Sequence, residues 1–214
     1  MSESTPDHLT DAQRAAVAKL ACGCEQAGGI ALLCGPGGVG KTTVLEDLAA
    51  ALGRRRSVGI GDAAHWSEAA ALPEVVLVDD AHQADEATLG RLLQRCRDRR
   101  PAACLVLAGE GRLFTLMARD ARLEQAVRIR VTLPAFTLAE TRQLLDATLA
   151  SVAGRPFAVH DAPARAVHEI AAGAPAAVIR LAELAGVVVA SRPDGDLSVD
   201  DVEAIHGRLS PAAA

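Results

Sequence analysis

Aromatic side chains are nearly missing from this 214-residue chain: three Phe, one Trp and no Tyr. A surface that holds single-stranded nucleic acid stacks successive bases on aromatic rings, so the composition does not indicate that kind of partner. An excess of positive charge is missing as well. Lys and Arg number 22 against 27 Asp and Glu, a formal net charge of −5. That excludes a globally basic nucleic-acid coat and leaves only local basic patches open. Long apolar runs are absent; stretches such as 187–190 fall far short of the ~20 residues that span a bilayer, so no transmembrane segment is expected. Residues 1–7 lack the basic stretch and apolar core of a secretory leader. The five cysteines (Cys22, Cys24, Cys34, Cys96, Cys104) are odd in number. Cys22 and Cys24 are too close for a zinc knuckle, and no second Cys/His pair stands at ligand spacing. Buried, reduced thiols and a cytoplasmic location are the expectation.

What is present is Ala, Leu and Val, the first two suited to helices and the third to strands. Half of the residues are hydrophobic and 23% are charged, the balance of an ordinary globular chain. Thr10-Asp11-Ala12-Gln13 is a capping box with Leu9 placed to staple it, which predicts a helix to about Gln26 ended by Gly28-Gly29. Residues 30–34 are an all-apolar run between glycines, a buried strand. A helix follows over 41–52, a brief strand over 57–60 and a firm one over 75–78; the segment 53–74 is short for a full strand–helix pair. Residues 85–97 read as a helix with Leu89, Leu92, Leu93 and Cys96 on one stripe, and 104–108 and 128–133 as strands. Beyond Pro134 only helices are predicted, over 137–150 (with a second capping box at Thr137 and Glu140), 162–172, 176–190 and 198–206, before a 211–214 tail expected to fray. Strands alternating with helices imply an α/β fold, a parallel sheet flanked by helices. This assigns residues 1–134 to that domain and 135–214 to a small helical subdomain.

Gly35-Pro36-Gly37-Gly38-Val39-Gly40-Lys41-Thr42-Thr43 fits the pattern G-x-x-x-x-G-K-[ST]. A polyphosphate needs several donors converging on it, and backbone N–H groups supply them where glycines let the chain wrap closely. Lys41 then reaches the β- and γ-phosphates, the Thr42 hydroxyl ligates Mg²⁺, and the helix that starts there points its positive end at the anion. The apolar run ending in Asp79-Asp80-Ala81-His82 is the partner signal. It places Asp79 to hold Mg²⁺ through water and Asp80 to orient or deprotonate the attacking water. His82 is either a phosphate sensor or a packing residue at the sheet edge. For Trp66, core or surface packing is favoured over base stacking. No Asn-Lys-x-Asp or Thr-Lys-x-Asp stretch is present to read guanine, so ATP or ADP is expected rather than GTP. After the 104–108 strand comes Gly109-Glu110-Gly111-Arg112-Leu113. In the additional-strand layout a polar residue there senses the γ-phosphate, so Glu110 joins Lys41 and Asp80 as a candidate catalytic residue.

Leu9-Thr-Asp-Ala-Gln13, the phosphate loop, Val78-Asp-Asp-Ala-His82, Leu107-Ala-Gly-Glu-Gly-Arg-Leu113 and Leu133-Pro-Ala-Phe-Thr-Leu-Ala-Glu-Thr141 follow one another in that order. Together they resemble the AAA+-type ATPases of the general-secretion-pathway A group and the related transposition helper ATPases, over about residues 8–206. The resemblance implies a P-loop NTPase (ASCE/AAA+-like) sheet followed by a helical lid, with ATP at their junction and often at a subunit interface. Gly173-Ala-Pro175 occupies the place of that family's Gly-x-Pro-Arg element, but position 176 is Ala. Ala126 stands where an arginine completing a neighbour's site is implied; Arg180, Arg122 and Arg128 are the candidates to replace the missing pair. Asp80 stands in place of the usual Glu, shorter by one C–C bond of about 1.5 Å.

An arginine finger is worth about 10³–10⁵ in rate, and a misplacement of ~1 Å costs on the order of 10²-fold. Tight Mg-ATP binding with slow hydrolysis is therefore expected: a weak ATPase or an ATP-driven switch. The alternative is a STAND-like interaction module in which the nucleotide is mainly structural. STAND ATPases and DnaA-type initiators also carry an Asp-Asp pair. A small-molecule kinase is disfavoured, since no arginine-rich lid or acceptor-site pattern is found. A protein partner or self-association is expected. Arg54-Arg55-Arg56 and Arg97, Arg99, Arg100 close helices that begin near the nucleotide edge, so they belong on the opposite edge. Pairing with helix C-termini is favoured there over docking of an acidic partner or nucleic acid.

Overall fold

Short apolar runs, too uniformly hydrophobic to leave a face in water, account for the three inner strands of the sheet. In the computed structural model, which describes residues 9–25, 27–192 and 195–209, the strands are β1 Ile30–Cys34, β2 Val58–Gly61, β3 Val75–Val78, β4 Cys104–Gly109 and β5 Val127–Thr132. They lie in the order β2-β3-β4-β1-β5 and every pairing is parallel. β4, late in the sequence, is thus inserted between β1 and β3. β1, β3 and β4 are buried at every residue, the pattern of a parallel sheet covered on both faces. This is the α/β architecture predicted, the P-loop NTPase fold. Gln26 and the stretches 1–7 and 211–214, on which sequence expectations also fell, lie outside the described residues.

The strand period of two sends alternate side chains to opposite faces. Ala31, Leu33, Leu77 and Val106 pack against α1 (Asp11–Cys24) and α2 (Lys41–Leu52) through Leu20, Val44, Leu45 and Leu48. Leu32, Val76, Val78 and Leu105 pack on the other face. There they meet α3 (Ala63–Glu68), α4 (Glu86–Asp98), α5 (Arg112–Arg119) and α6 (Ala121–Ala126). The predicted α4 stripe of Leu89, Leu92, Leu93 and Cys96 is the buried one. α3, α5 and α6 were not anticipated, because six to eight residues give too little length for a helical period to emerge. The segment 53–74 nevertheless holds both a strand and a helix, the helix being only six residues long. Cys22 corrects another expectation: Cys24, Cys34, Cys96 and Cys104 are buried free thiols, but Cys22 is exposed.

Trp66 explains how so short a helix is held. Its ring lies over β2, its Nε1–H donates to the Leu77 carbonyl at 3.0 Å, and the packing reading of this residue holds. The Arg95 guanidinium, from α4, donates to the carbonyls of Trp66, Ser67 and Ala69 at the end of α3. Other arginines serve the base of the sheet in the same way. Arg56 donates to the Cys24 carbonyl, Arg97 to Gly28, Arg99 to Leu72, and Arg100 to carbonyls at the C-terminus of α4. Both basic clusters therefore sit at the edge where strands begin, and carbonyls at helix ends take up much of their hydrogen bonding.

The chain divides into two compact units, Met1–Pro134 and Ala135–Ala214. In the second, α7 (Leu138–Ala153), α8 (Asp161–Ala171), α9 (Pro175–Ala190) and α10 (Val199–Leu209) enclose their own core, with Leu145, Leu149, Val167, Val178, Leu181 and Val202 at its centre. Thr137 and Glu140 form the predicted capping box of α7. The entry to α10 is fixed by Asp201, whose carboxylate accepts from Arg192 at 2.9 and 3.0 Å and from the Ser198 hydroxyl at 2.7 Å. Among the described residues no helix is long and apolar enough to cross a membrane.

Two tests follow from this packing. A methyl group at Gly59 would stand 2.5 Å from Trp66 Cη2, so Gly59→Ala should lower unfolding stability by about 1–3 kcal/mol. Urea titration followed by fluorescence of Trp66, the chain's single Trp, reads that change. The Arg192 guanidinium and then the Ser198 hydroxyl hold the Asp201 carboxyl down to about 2. Its pKa is lower folded than unfolded, so its stabilisation is complete above the ordinary carboxylate range and lost as pH falls through it. Asp201→Asn should therefore be less stable than wild type at neutral pH, with the gap closing between about pH 4 and about pH 2 in unfolding curves followed by circular dichroism.

Candidate functional site

The strand register brings three chain segments to one edge. Cys34 pairs with Gly109 and Val78 with Leu107, so the residues after β1, β3 and β4 all leave the sheet at its C-terminal side. Open α/β sheets place ligands off this edge. Three of the sequence's candidate groups stand here: the loop 35–43, the Asp79-Asp80 pair and Glu110.

The loop is seated first. Gly35 N–H donates to the Gly109 carbonyl at 3.2 Å, and a Cβ at Gly35 would lie 2.8 Å from the Leu133 carbonyl oxygen. Val39 is buried in the core beneath the loop, whereas Pro36, Gly37 and Gly38 are exposed at its rim. Gly40 has φ +90 and ψ +30, a left-handed conformation that costs other L-residues roughly 1–2 kcal/mol. That turn starts α2 with its unpaired N–H groups facing the loop, an anion-binding arrangement; no acid stands in the helix's first turn to oppose it. Lys41 is buried to 7% exposure and folds back, its Nζ donating to the carbonyls of Pro36 at 2.8 Å and Gly35 at 3.1 Å.

The acidic tip meets the loop through one short bond: Thr42 Oγ1 donates to Asp79 Oδ2 at 2.6 Å. The other oxygen, Asp79 Oδ1, accepts the Asp80 N–H at 2.9 Å, which fixes the carboxylate's plane. Thr43 is exposed on the same first turn. A hydroxyl and a carboxylate so placed are hard oxygen donors suited to Mg²⁺, which takes one or two carboxylates and completes its shell from phosphates and water. Glu110 also reaches the loop, its Oε1 lying 3.1 Å from where a Cβ of Gly37 would be.

Asp80 is brought to the edge but not against the loop. It is exposed, with φ +46 and ψ +33, and its Oδ1 lies 3.8 Å from His82 Nδ1. That distance exceeds a hydrogen bond. His82 belongs to a 3-10 turn, Ala81–Gln83, that packs against Gly109, and its buried Nδ1 has no hydrogen-bond partner. Burial pushes the Cys34 thiol at the base of the loop up to about 11, although Lys41 and Arg130 pull it down. It therefore stays a neutral thiol.

Of the arginines sought from the resemblance, Arg122 and Arg128 lie in the first unit. Ala126 is fully buried, so that position faces the core and could not present a guanidinium to a neighbour. Arg122, one turn earlier, is exposed but paired to Asp120 at 2.8 Å. Arg128 lies in the first half of β5, near Gly29, at the opposite edge of the sheet. Arg180 is exposed on α9 without an ion pair among the described residues. One residue at the site escaped sequence reasoning as anything but a helix cap. Gln13 of α1 is 5% exposed and its Nε2 donates to the Val39 carbonyl at 3.2 Å. Their separation of 26 in sequence carries no pattern that announces the contact.

No protein-family model matches the chain, and no curated protein sequence matches it. Solved structures do. The chain resembles RuvB of Thermotoga maritima, a Holliday junction branch migration motor, with a TM-score of 0.68 and 21% identity over 97% of this chain and 72% of that one. A singly substituted form of that RuvB gives a TM-score of 0.69 at 19% identity over the same shares. The ORC2 protein of Aeropyrum pernix, solved as ADPNP–ADP complexes, gives 0.64 at 15% identity over 100% of this chain and 72% of that one. At these identities the likeness establishes the fold, that of the AAA+ P-loop NTPases.

Proposed function

We propose that this chain binds Mg²⁺-ATP at residues 35–43 and acts as a slow ATPase, or as a conformational switch set by that nucleotide, as befits the AAA+ fold. In this reading residues 1–134 are the nucleotide-binding domain and 135–214 the helical lid subdomain. The observation that carries it is the 2.6 Å bond between Thr42 and Asp79, which joins two motifs 37 residues apart. Without a cation the hydroxyl donates to the carboxylate; with Mg²⁺ between them both would serve as its oxygen ligands.

The N–H groups after Pro36 in the loop and the Lys41 ammonium would receive the phosphate oxygens, the ammonium exchanging its bonds to Gly35 and Pro36 for charged partners. Thr42 and Asp79 would hold the metal, Asp79 through water. Bound Mg²⁺ neutralises charge on the β- and γ-oxygens. Asp80 would orient or deprotonate the attacking water, with Glu110 as a second polar group at the γ end. Three features favour slow turnover: Asp80 is short for its task, position 126 is core, and Arg122 is already paired. The order of motifs along the chain supports a place near the general-secretion-pathway A and transposition helper ATPases, in the cytoplasm, with a protein partner or a second copy of the chain completing the site. The same intact loop beside a sparse arginine set favours, as a second reading, a STAND-like module in which nucleotide is structural. Nucleotide that copurifies and does not exchange would select it.

Lys41→Ala should lose ATP binding by calorimetry while keeping the wild-type circular dichroism, and wild type alone should release phosphate more slowly than roughly 1 s⁻¹. Equal affinity in the variant would overturn the site; faster turnover would overturn the slow-hydrolysis reading.

A further inference from the structure

A loop that presents its N–H groups to an anion must turn carbonyls away from it, and each buried carbonyl needs a donor. Around this loop the donors can be identified. Gly35 and Pro36 carbonyls accept from Lys41 Nζ, and the Gly40 carbonyl accepts from Val44 N–H within α2 at 3.1 Å. Those of Gly35 and Pro36 are held by the ammonium that would be drawn to phosphate. The Val39 carbonyl, on a residue 1% exposed, is held by Gln13 Nε2 at 3.2 Å.

Gln13 is itself fixed from its other end. Its Oε1 accepts the Thr10 N–H at 2.9 Å and its own N–H donates to Thr10 Oγ1 at 3.3 Å, the reciprocal capping box of α1. Both ends of one carboxamide are therefore committed, one to the start of α1 and one to the loop. The fit is close on the loop side: a Cβ at Gly40 would stand 2.4 Å from Gln13 Nε2. The glycine that turns the chain into α2 also clears space for the glutamine.

We propose that Gln13 is a positioning residue for the phosphate loop, a strut that locks the Val39 carbonyl outward whether or not nucleotide is bound and so keeps the 38–41 amides aimed inward. The role rests on the nucleotide reading above, because it is exercised on that ligand. It also makes the start of α1 part of the binding apparatus, since displacing the Thr10 cap by way of Gln13 would reach the loop.

The test exploits a coincidence of chemistry. Glutamate is the other residue that serves at this capping-box position, so Gln13→Glu keeps the cap and the shape but puts an acceptor where the donor to Val39 was. It should bind ATP about tenfold or more weakly, the worth of one such bond with its carbonyl left unsatisfied, when measured well below the variant's Tm, which the buried carboxylate also lowers. Amide hydrogen exchange at residues 38–41 should rise in the nucleotide-free protein, where repulsion between glutamate and phosphate plays no part. Gln13→Leu, uncharged, should show the same rise in exchange. Thr10→Ala, which removes the hydroxyl half of the cap, should lower Tm more than it lowers affinity. Unchanged loop exchange in both Gln13 variants would overturn the strut. Wild type that fails to bind ATP would instead overturn the nucleotide reading, while the exchange measurement would still decide the role of Gln13.

Discussion

The polarity of one stretch of backbone governs the C-terminal edge of this sheet. From Gly35 to Lys41 the chain must house its carbonyls while the amides after Pro36 face away from them, and the surrounding side chains are arranged around that requirement. Lys41 closes over Gly35 and Pro36, Gln13 reaches in from α1 to Val39, and Val39 is sunk into the core. The loop is held in place by neighbours rather than by its own sequence. Glycine only makes the shape accessible; the contacts select it.

The sheet supplies the frame. Inserting β4 between β1 and β3 puts the acidic tip of β3 one strand away from the loop, and α2 carries Thr42 across that gap. β1, β3 and β4 are buried on both faces, and side-chain packing there holds the parallel register that keeps the tips level. The charge distribution follows the same polarity. Arginines crowd the edge where strands begin and answer carbonyls there, while the opposite edge carries Asp79, Asp80 and Glu110 around a single buried lysine. In the reading proposed above, that edge would share a polyanion with a cation.

On the proposed reading, the groups assigned to hydrolysis are less fully assembled than those assigned to binding. Asp80 adopts a left-handed backbone and faces His82 across a gap too wide for a hydrogen bond, and the guanidiniums near the sheet are occupied or lie elsewhere. Binding needs the backbone and Lys41, which are in place. Catalysis needs side chains aligned to a few tenths of an ångström, and fewer of those are converged. This asymmetry supports a switch or a slow enzyme over a motor-like one.

Local order in the chain was enough to read β1, α2, β3, α4 and the helices after Pro134, because each carries a full period of apolar residues or a capping box within its own length. The glycine loop and the Asp79-Asp80 tip were legible for the same reason: their chemistry is written in consecutive residues. α3, α5 and α6 are too short to show a period, and α3 is held in place by its own Trp66 bonded to the Leu77 carbonyl and by Arg95 reaching across from α4. The core position of Ala126 depends on how α6 packs, which no neighbouring residue encodes. The meeting of Thr42 with Asp79 and of Gln13 with Val39 was likewise left to the tertiary fold, since a hydrogen bond spanning tens of residues comes into being only once the sheet has aligned the ends that make it.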